Sequence, residues 1–239
     1  MKILDRTCKS PEENLACDEA LLELCESGGE REILRFWEPA THFVVLGYSN
    51  RIDSEARVGF CRRHGIPILR RPSGGGTVLQ GPGCLNYSLV LPIHHADFGP
   101  TIRDTNAFVL GRHRAAIGQA LGLAVEVRGH TDLTVGGLKF SGNSQRRKRR
   151  CLLFHGTFLL RFDIPLIAKT LAIPREQPAY RRNRPHKDFL MNLEAPAPKI
   201  KNALAAVWKA DEVLKKIPEE EMRRLARDVY SNADWTHKF

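Results

Sequence analysis

Arg70-Arg71-Pro72-Ser73-Gly74-Gly75-Gly76-Thr77-Val78 is the stretch of this sequence with the clearest capacity for chemistry. Three consecutive glycines after a β-prone run let backbone approach a ligand closely and turn N–H groups toward an anion. Arg71 beside them can grip a carboxylate or phosphate through two donors. The stretch is not a Walker A loop, because no Gly-Lys-Ser/Thr follows, and it lacks the GxGxxG spacing of a dinucleotide fingerprint. A tight hairpin would use the same glycines. The second candidate is Lys139, followed by Ser141-Gly142-Asn143. Between Leu138 and Phe140 it alternates out of the apolar face and can stand in a cleft as a fixed cation, a pattern that an ordinary exposed strand lysine shares. The third is His155 of His155-Gly156-Thr157, inside a leucine-rich run where a histidine is more often a hydrogen-bonded core residue than a catalyst.

These residues need elements to position them. Ser10 as N-cap, Pro11 at the first helical position and Glu13 closing a capping box predict a helix that runs to about Ser27 and stops at Gly28-Gly29. Glu32 to Trp37, His42 to Gly47, Ile66 to Arg71 and Leu85 to Leu91 read as strands. Val109, Ala116 and Ala120 share one face of a helix over Ile102 to Leu121. Gly136-Gly137 joins Asp132-Leu133-Thr134-Val135 to Leu138-Lys139-Phe140-Ser141 as a two-residue hairpin. Cys151 to Phe162 is again strand-like, and the last third is mostly helical, with Pro218 and Glu219-Glu220-Glu221 suiting a helix start. Helices interleaved among hairpins predict an α/β (α+β) fold, a mixed sheet flanked by helices, rather than a parallel βαβ series.

The bulk properties narrow the class. The chain has 239 residues, 42% hydrophobic and 27% charged, which excludes a disordered chain and is enough for one sizeable core. No apolar run approaches a membrane span, and the first residues contain no secretory h-region. The six cysteines show neither CxxC nor Cys/His ligand spacing, so zinc and a disulfide framework are not expected, and reduced thiols in the cytoplasm are. The net charge of +10 is concentrated. Lys139 to Arg150 holds six basic residues and no acid, and Arg175 to Lys187 adds Arg181, Arg182 and Arg184 with Glu176 as its acid. Such stretches suit an anionic partner or a solvated loop. A nucleic-acid-binding module is the reading this charge would motivate, but the basic run has no interleaved aromatics and no helix-turn-helix or zinc pattern accompanies it.

Together these elements resemble the lipoate–protein ligase A family, whose catalytic domain is related to that of biotin ligases. Arg70 to Gly76 is similar to its RRxSGGG signature. Asp132-Leu133 through Gly137 to Gly142 resembles its lysine hairpin, and His155 to Leu160 its HGT strand. Asn14-Leu15-Ala16-Cys17-Asp18-Glu19 resembles the family's first helix, while Arg35-Phe36-Trp37 with Val44 to Gly47 resembles a pair of its strands. The likeness covers nearly the whole chain, in the family's order.

The resemblance implies a single catalytic domain over residues 1–239 and a two-step reaction. Lipoate or octanoate attacks the α-phosphorus of ATP to give an acyl adenylate and pyrophosphate; a lysine of a lipoyl-domain acceptor protein then takes the acyl group. It implies Lys139 as the catalytic cation in both steps. It implies Arg71, Ser73, Gly74, Gly75, Gly76, Asn86, Ser141, Gly142 and His155 as lipoate- or ATP-binding residues, Asp132 as a ligand of Mg²⁺, and Trp37 and Gly47 as lining for the acyl chain. Gln145 to Arg150 is expected to fold over the triphosphate or to meet an acidic acceptor domain.

The sequence departs from the family in places. Gln80 stands where a histidine is usual, Thr131 where an asparagine precedes the hairpin aspartate, and Gly81-Pro82-Gly83 is closer to the related octanoyltransferases. The chain stops soon after Trp235, so no C-terminal accessory domain is expected and a separate small subunit is. The octanoyltransferases are the alternative: they use no ATP and pass the acyl group through a cysteine thioester. Their nucleophile positions fall near Ala124 and near Ile173 here, and Cys84, close to the glycines, is the thiol left to consider.

Overall fold

The computed structural model describes residues 1–174 and 176–239. Arg175, where the second basic stretch begins, lies outside them. The first half of the chain runs β1 (Lys2–Asp5), α1 (Pro11–Glu26), β2 (Ile33–Trp37), β3 (Phe43–Leu46), α2 (Ile52–Glu55), α3 (Val58–Arg63), β4 (Ile68–Arg70), β5 (Val78–Gln80), β6 (Cys84–Pro92) and α4 (Ile102–Leu121). The second half runs β7 (Val125–Arg128), β8 (Asp132–Val135), β9 (Leu138–Arg147), β10 (Cys151–Leu159), α5 (Ile164–Thr170), α6 (His186–Phe189), α7 (Ala197–Val207), β11 (Glu212–Val213), α8 (Glu219–Leu225) and α9 (Ala233–Thr236).

An eight-stranded sheet has the order β11-β1-β2-β6-β10-β9-β8-β7, and a three-stranded sheet the order β4-β3-β5. Both are mixed: β1 pairs parallel with β2 and β11, and β3 parallel with β4, while the remaining pairs are antiparallel. The expected mixed sheet with flanking helices is therefore what forms. No described helix is long and apolar enough to cross a membrane.

The strand period of two sorts side chains between two cores. Leu85, Tyr87, Leu89 and Leu91 of β6, with Leu152, Phe154 and Phe158 of β10, join residues of α4 and α7 in one core. Val90 and Leu153, on the opposite face, pack with α1 and α8. A third cluster fills the space around the small sheet and includes Val44, Leu79, Ile167 and Leu171.

The helix signals act where the sequence puts them. Ser10 Oγ accepts the Glu13 N–H at 3.2 Å. The return bond is shifted by one residue, because Glu13 accepts the N–H of Lys9 rather than that of Ser10. Thr101 and Asp104 form a reciprocal capping box for α4, and Gly122 ends that helix at φ +67°. Gly136 and Gly137 both have positive φ, at 57° and 76°, as a tight two-residue hairpin requires.

α1 and β2 are tied by a buried ion pair. Arg35 Nη1 lies 2.6 Å from Asp18 Oδ1 and also donates to the Asn14 carbonyl, while Nη2 reaches Asn14 Oδ1. The spacing of Asn14, Asp18 and Arg35 thus serves to fix the first helix on the sheet.

Candidate active site

A row of paired residues crosses the middle of the large sheet. Trp37 of β2 pairs with Asn86 of β6, Asn86 with Thr157 of β10, Thr157 with Gly142 of β9, and Gly142 with Asp132 of β8. Paired residues share a face, so these side chains stand in line over roughly 19 Å at the usual strand spacing. The row runs from an apolar end at Trp37 to a charged end at Asp132. A cavity of about 750 Å³ lies over it and is closed on the other side by Val45, Val78 and Leu79 of the small sheet. That shape fits an elongated apolar chain with an anionic head.

Lys139 enters this row through a break in the ladder. Leu133 pairs with Ser141, but Thr134 pairs with Lys139, so Phe140 is an extra residue in β9. In unbroken pairing Lys139 would oppose Val135 and point to the other face. The bulge moves it onto the face of Thr134, Asp132 and Gly142, a familiar use of bulges. Its ammonium lies 2.7 Å from Asp132 Oδ1. The stem passes over Gly142, where a Cβ would stand 2.9 Å from Nζ. The Lys139 carbonyl accepts the Met191 N–H at 2.9 Å, which pins the strand from the other side.

Asp132 has a second partner, since the Tyr180 hydroxyl donates to Oδ2 at 2.7 Å. Burial, followed by the neighbouring carboxylate, pushes the Tyr180 pKa up, so the phenol stays protonated and remains a donor. Both carboxylate oxygens are therefore engaged. Among the described residues no three His, Cys, Asp or Glu side chains converge as a metal site. Asp132 is thus charge-matched within the protein by Lys139, and a magnesium ion at this end of the cavity would arrive on the nucleotide phosphates with Asp132 as its one carboxylate neighbour from the row.

The glycine loop is organised from inside. Arg71 lines the cavity with its donors turned to the loop itself. Its Nη2 donates to the carbonyls of Gly74 at 2.9 Å and Gly76 at 2.8 Å, and its Nε to Gly74 at 3.3 Å. Burial lowers its pKa to about 10, and it remains a cation at neutral pH. Arg71 thereby braces the loop through the Gly74 and Gly76 carbonyls. Ser144 adds a bond to the Gly74 carbonyl at 2.9 Å. Gly75 and Gly76 line the cavity, but Ser73 and Gly74 do not. Ser73 Oγ and His155 Nε2 are hydrogen-bonded at 2.7 Å. Burial and then the Arg71 charge depress His155 to about pKa 3, which makes it a neutral partner. Gly47 is a floor for the loop rather than chain lining, because a Cβ there would stand 2.1 Å from the Gly75 carbonyl oxygen.

Asn86 lies in a closed ring of bonds. Its amide donates to Gln80 Oε1 at 3.0 Å, Gln80 Nε2 donates to Thr157 Oγ1 at 2.7 Å, and Thr157 donates to Asn86 Oδ1 at 2.6 Å. Gln80, which replaces the family's histidine, is thus part of the wall. Asn143 accepts the Tyr87 hydroxyl at 2.6 Å and donates to the Thr131 carbonyl at 2.7 Å, which holds the strand beyond Ser141 and Gly142.

The structure brings Lys139, Asp132, Gly75, Gly76, Asn86, Ser141, Gly142, His155, Trp37 and Arg71 into one cavity wall. The basic run Gln145 to Arg150 does not fold over it. Lys148 pairs with Glu23, the N–H groups of Arg149, Arg150 and Cys151 donate to Glu26, and Arg147 reaches Thr105 and the Pro100 carbonyl. That hairpin is bound to α1 and to the start of α4. Tyr180 and Arg181 were missed by motif reading, although they fall within the second basic stretch. Cys84 is buried at 1% exposure, and burial pushes its thiol up to about 12. No cysteine appears in the cavity wall among the described residues.

This architecture is that of lipoate protein ligase catalytic domains. A bi-partite lipoate protein ligase from Thermoplasma acidophilum, studied with its E2 lipoyl domain, superposes with a TM-score of 0.82 at 23% identity over 99% of this chain and 95% of that one. A lipoate-protein ligase A bound with ATP superposes with a TM-score of 0.79 at 23% identity, over 99% of this chain and 98% of that one. Residues 10–219 match the lipoyl protein ligase A/B catalytic domain, and the chain belongs to that family. Among curated relatives, lipoate-protein ligase A subunit 1 of T. acidophilum is 28% identical over 69% of this chain and 64% of its own length, so this chain spans less than two thirds of it. Octanoyltransferase LipM of Carboxydothermus hydrogenoformans is 26% identical over 100% of this chain and 98% of its own. The family's members include lipoate–protein ligases and octanoyltransferases.

Proposed function

We propose that this chain is an ATP-dependent lipoate–protein ligase that also accepts octanoate. The observation that carries the reading is the Lys139 ammonium, held on the cavity face by a bulge and aimed along the row from Trp37, in a cavity wall without a cysteine. In the first step a carboxylate oxygen of the acid forms a bond to the α-phosphorus of ATP, and the bond to the bridging oxygen breaks with release of pyrophosphate. Charge gathers on the phosphoryl oxygens, where a preorganised cation and loop N–H groups lower the barrier. In the second step the acceptor amine attacks the acyl carbon, and AMP leaves with the electron pair of the broken C–O bond. Lys139 would stabilise the charge on the α-phosphoryl oxygens and on the acyl carbonyl oxygen.

The acceptor is a lipoyl-domain protein, as in the bi-partite archaeal ligase, and a separate small subunit for the second step is part of the proposal. A cysteine transferase is the second reading, favoured by the full-length match to LipM. It needs an accessible thiolate, and the thiol nearest the glycine loop in sequence is buried and protonated. The test is pyrophosphate release from ATP with lipoate or octanoate, with and without an apo lipoyl domain, beside octanoyl transfer from acyl carrier protein without ATP. Acid-dependent pyrophosphate release supports the ligase. Transfer from the carrier protein with no nucleotide consumed gives the answer to the transferase.

A further inference from the structure

The buried arginines of this chain are Arg35, Arg70, Arg71 and Arg181, and they differ in what compensates their burial. Arg35 has Asp18. Arg70 donates to the carbonyls of Gly47, Tyr48, Asn50, Trp235 and Thr236. Arg71 has the glycine-loop carbonyls. Arg181 has one hydrogen bond, from Nε to the Arg184 carbonyl at 3.0 Å. Its Nη2 is buried without a partner, and among the described residues no carboxylate pairs with it.

Its surroundings add positive charge. Arg184 shares the Phe189 ring, with the two guanidinium carbons 4.7 Å and 5.3 Å from its centroid. His186, next along the cavity wall, is held neutral near pKa 4 by burial and by the charges of Arg181, Lys139 and Arg57. Asp132 is already matched by Lys139 and Tyr180. Glu55 and Glu176 line the cavity without an ion pair to Arg181. A buried guanidinium with one neutral acceptor is unfavourable on its own, and an anion entering the cavity would relieve it.

Position decides which anion. The acyl row ends at Asp132 and Lys139, so the α-phosphorus must sit there. In-line displacement sends the leaving group past that end, away from the acid. Tyr180, the neighbour of Arg181, is what touches Asp132 on that outer side. We propose that Arg181 is the cation that receives the departing pyrophosphate, accepting the charge released when the bond from the α-phosphorus to its bridging oxygen breaks. This rests on the ATP-dependent reading.

The experiment is calorimetric titration of wild-type protein, Arg181→Met and Arg181→Lys with pyrophosphate, AMP and octanoate, with melting temperature recorded for each. Methionine keeps an apolar stem against Phe189 and removes the charge. The expected result is pyrophosphate affinity lower by at least about tenfold in Arg181→Met, partial recovery in Arg181→Lys, and octanoate and AMP affinities within roughly threefold of wild type. Equal pyrophosphate affinity in wild type and Arg181→Met overturns the inference. So does a loss common to all three ligands with a lowered melting temperature, which marks the side chain as structural. Wild-type protein that binds octanoate but neither AMP nor pyrophosphate sinks the ligase reading itself, and the role of Arg181 falls with it.

Discussion

The Lys139 ammonium lies 2.7 Å from Asp132 Oδ1 because β9 carries one residue, Phe140, that β8 does not match. Regular pairing would place the two side chains on opposite faces of the sheet. The hairpin glycines set the turn, but the bulge sets the chemistry, and Gly142 leaves room for the lysine stem to lie across the backbone.

Replacing Lys139 by alanine should therefore cost turnover and not fold. The side chain is partly exposed and packs on a glycine, so stability changes little. Loss of a preorganised cation at a developing phosphoryl charge lowers rates roughly 10²–10³-fold. Acid-dependent ATP–pyrophosphate exchange is the measurement, with octanoate binding as the control for an intact cavity. Near-normal exchange in the alanine variant contradicts the assigned role.

Asp132→Asn separates positioning from metal binding. The amide still accepts from Tyr180 but no longer fixes the ammonium, and a small misplacement of a reacting group costs up to roughly 10²-fold. Because both oxygens are already engaged in the protein, the magnesium concentration giving half-maximal rate should stay where it is in wild type. A large rise in that concentration would make Asp132 a metal ligand.

How far the sequence spoke depended on whether a feature was local. The caps of α1 and the Gly136-Gly137 turn are short-range rules, and the structure follows them nearly to the residue. The row from Trp37 to Asp132 depends on the register of five strands, which no local pattern fixes. Arg71 shows the same limit: a sequence shows the donors of an arginine but not the Gly74 and Gly76 carbonyls that take them. The bulge at Phe140 has no signature, since an apolar residue after Lys139 reads as ordinary alternation. Tyr180 and Arg181 reach the site only because the segment after α5 returns to β8, a contact across 48 residues for Tyr180 and Asp132.

Cys84→Ala should keep at least about half of wild-type activity. The thiol is 1% exposed, its pKa is pushed up to about 12 by burial, and it packs as a small hydrophobe beside Val44, Leu79 and Phe162. Iodoacetamide at neutral pH should leave the native enzyme active and label the cysteines only after unfolding, since all six are buried. Rapid inactivation that the alanine variant resists would instead assign the thiol to catalysis.

Gly47→Ala tests the floor of the glycine loop. The new methyl group meets the Gly75 carbonyl oxygen at 2.1 Å, and backbone cannot yield as a flexible side-chain end can. The loop must lift, taking Gly75 and Gly76 out of the cavity wall. We expect a stability loss of roughly 1–3 kcal/mol from overpacking and a far larger proportional loss of ATP and octanoate binding. Denaturant unfolding and ligand titration on the same variant check both, and intact binding at normal stability would show that the loop is not seated on Gly47.

Acid sensitivity should trace in part to His113, deep in the α4–α7 core. Its Nε2 accepts the Trp208 indole N–H at 2.8 Å, and burial lowers its pKa from 6.5 to about 3. In the unfolded chain the same imidazole takes up a proton near pH 6.5. Between those values the unfolded state binds more protons, so stability rises with pH across the window and is lost as pH falls through it. Above pH 6.5 this group contributes no slope. His113→Asn keeps an acceptor for Trp208 but cannot titrate. It should be less stable at pH 7 through imperfect packing, yet its stability should fall less steeply below pH 6.5, by about 1.4 kcal/mol per pH unit near pH 5. Urea midpoints of both proteins at pH 7, 6 and 5 give the comparison, and parallel curves would mean that His113 already carries its proton in the folded core.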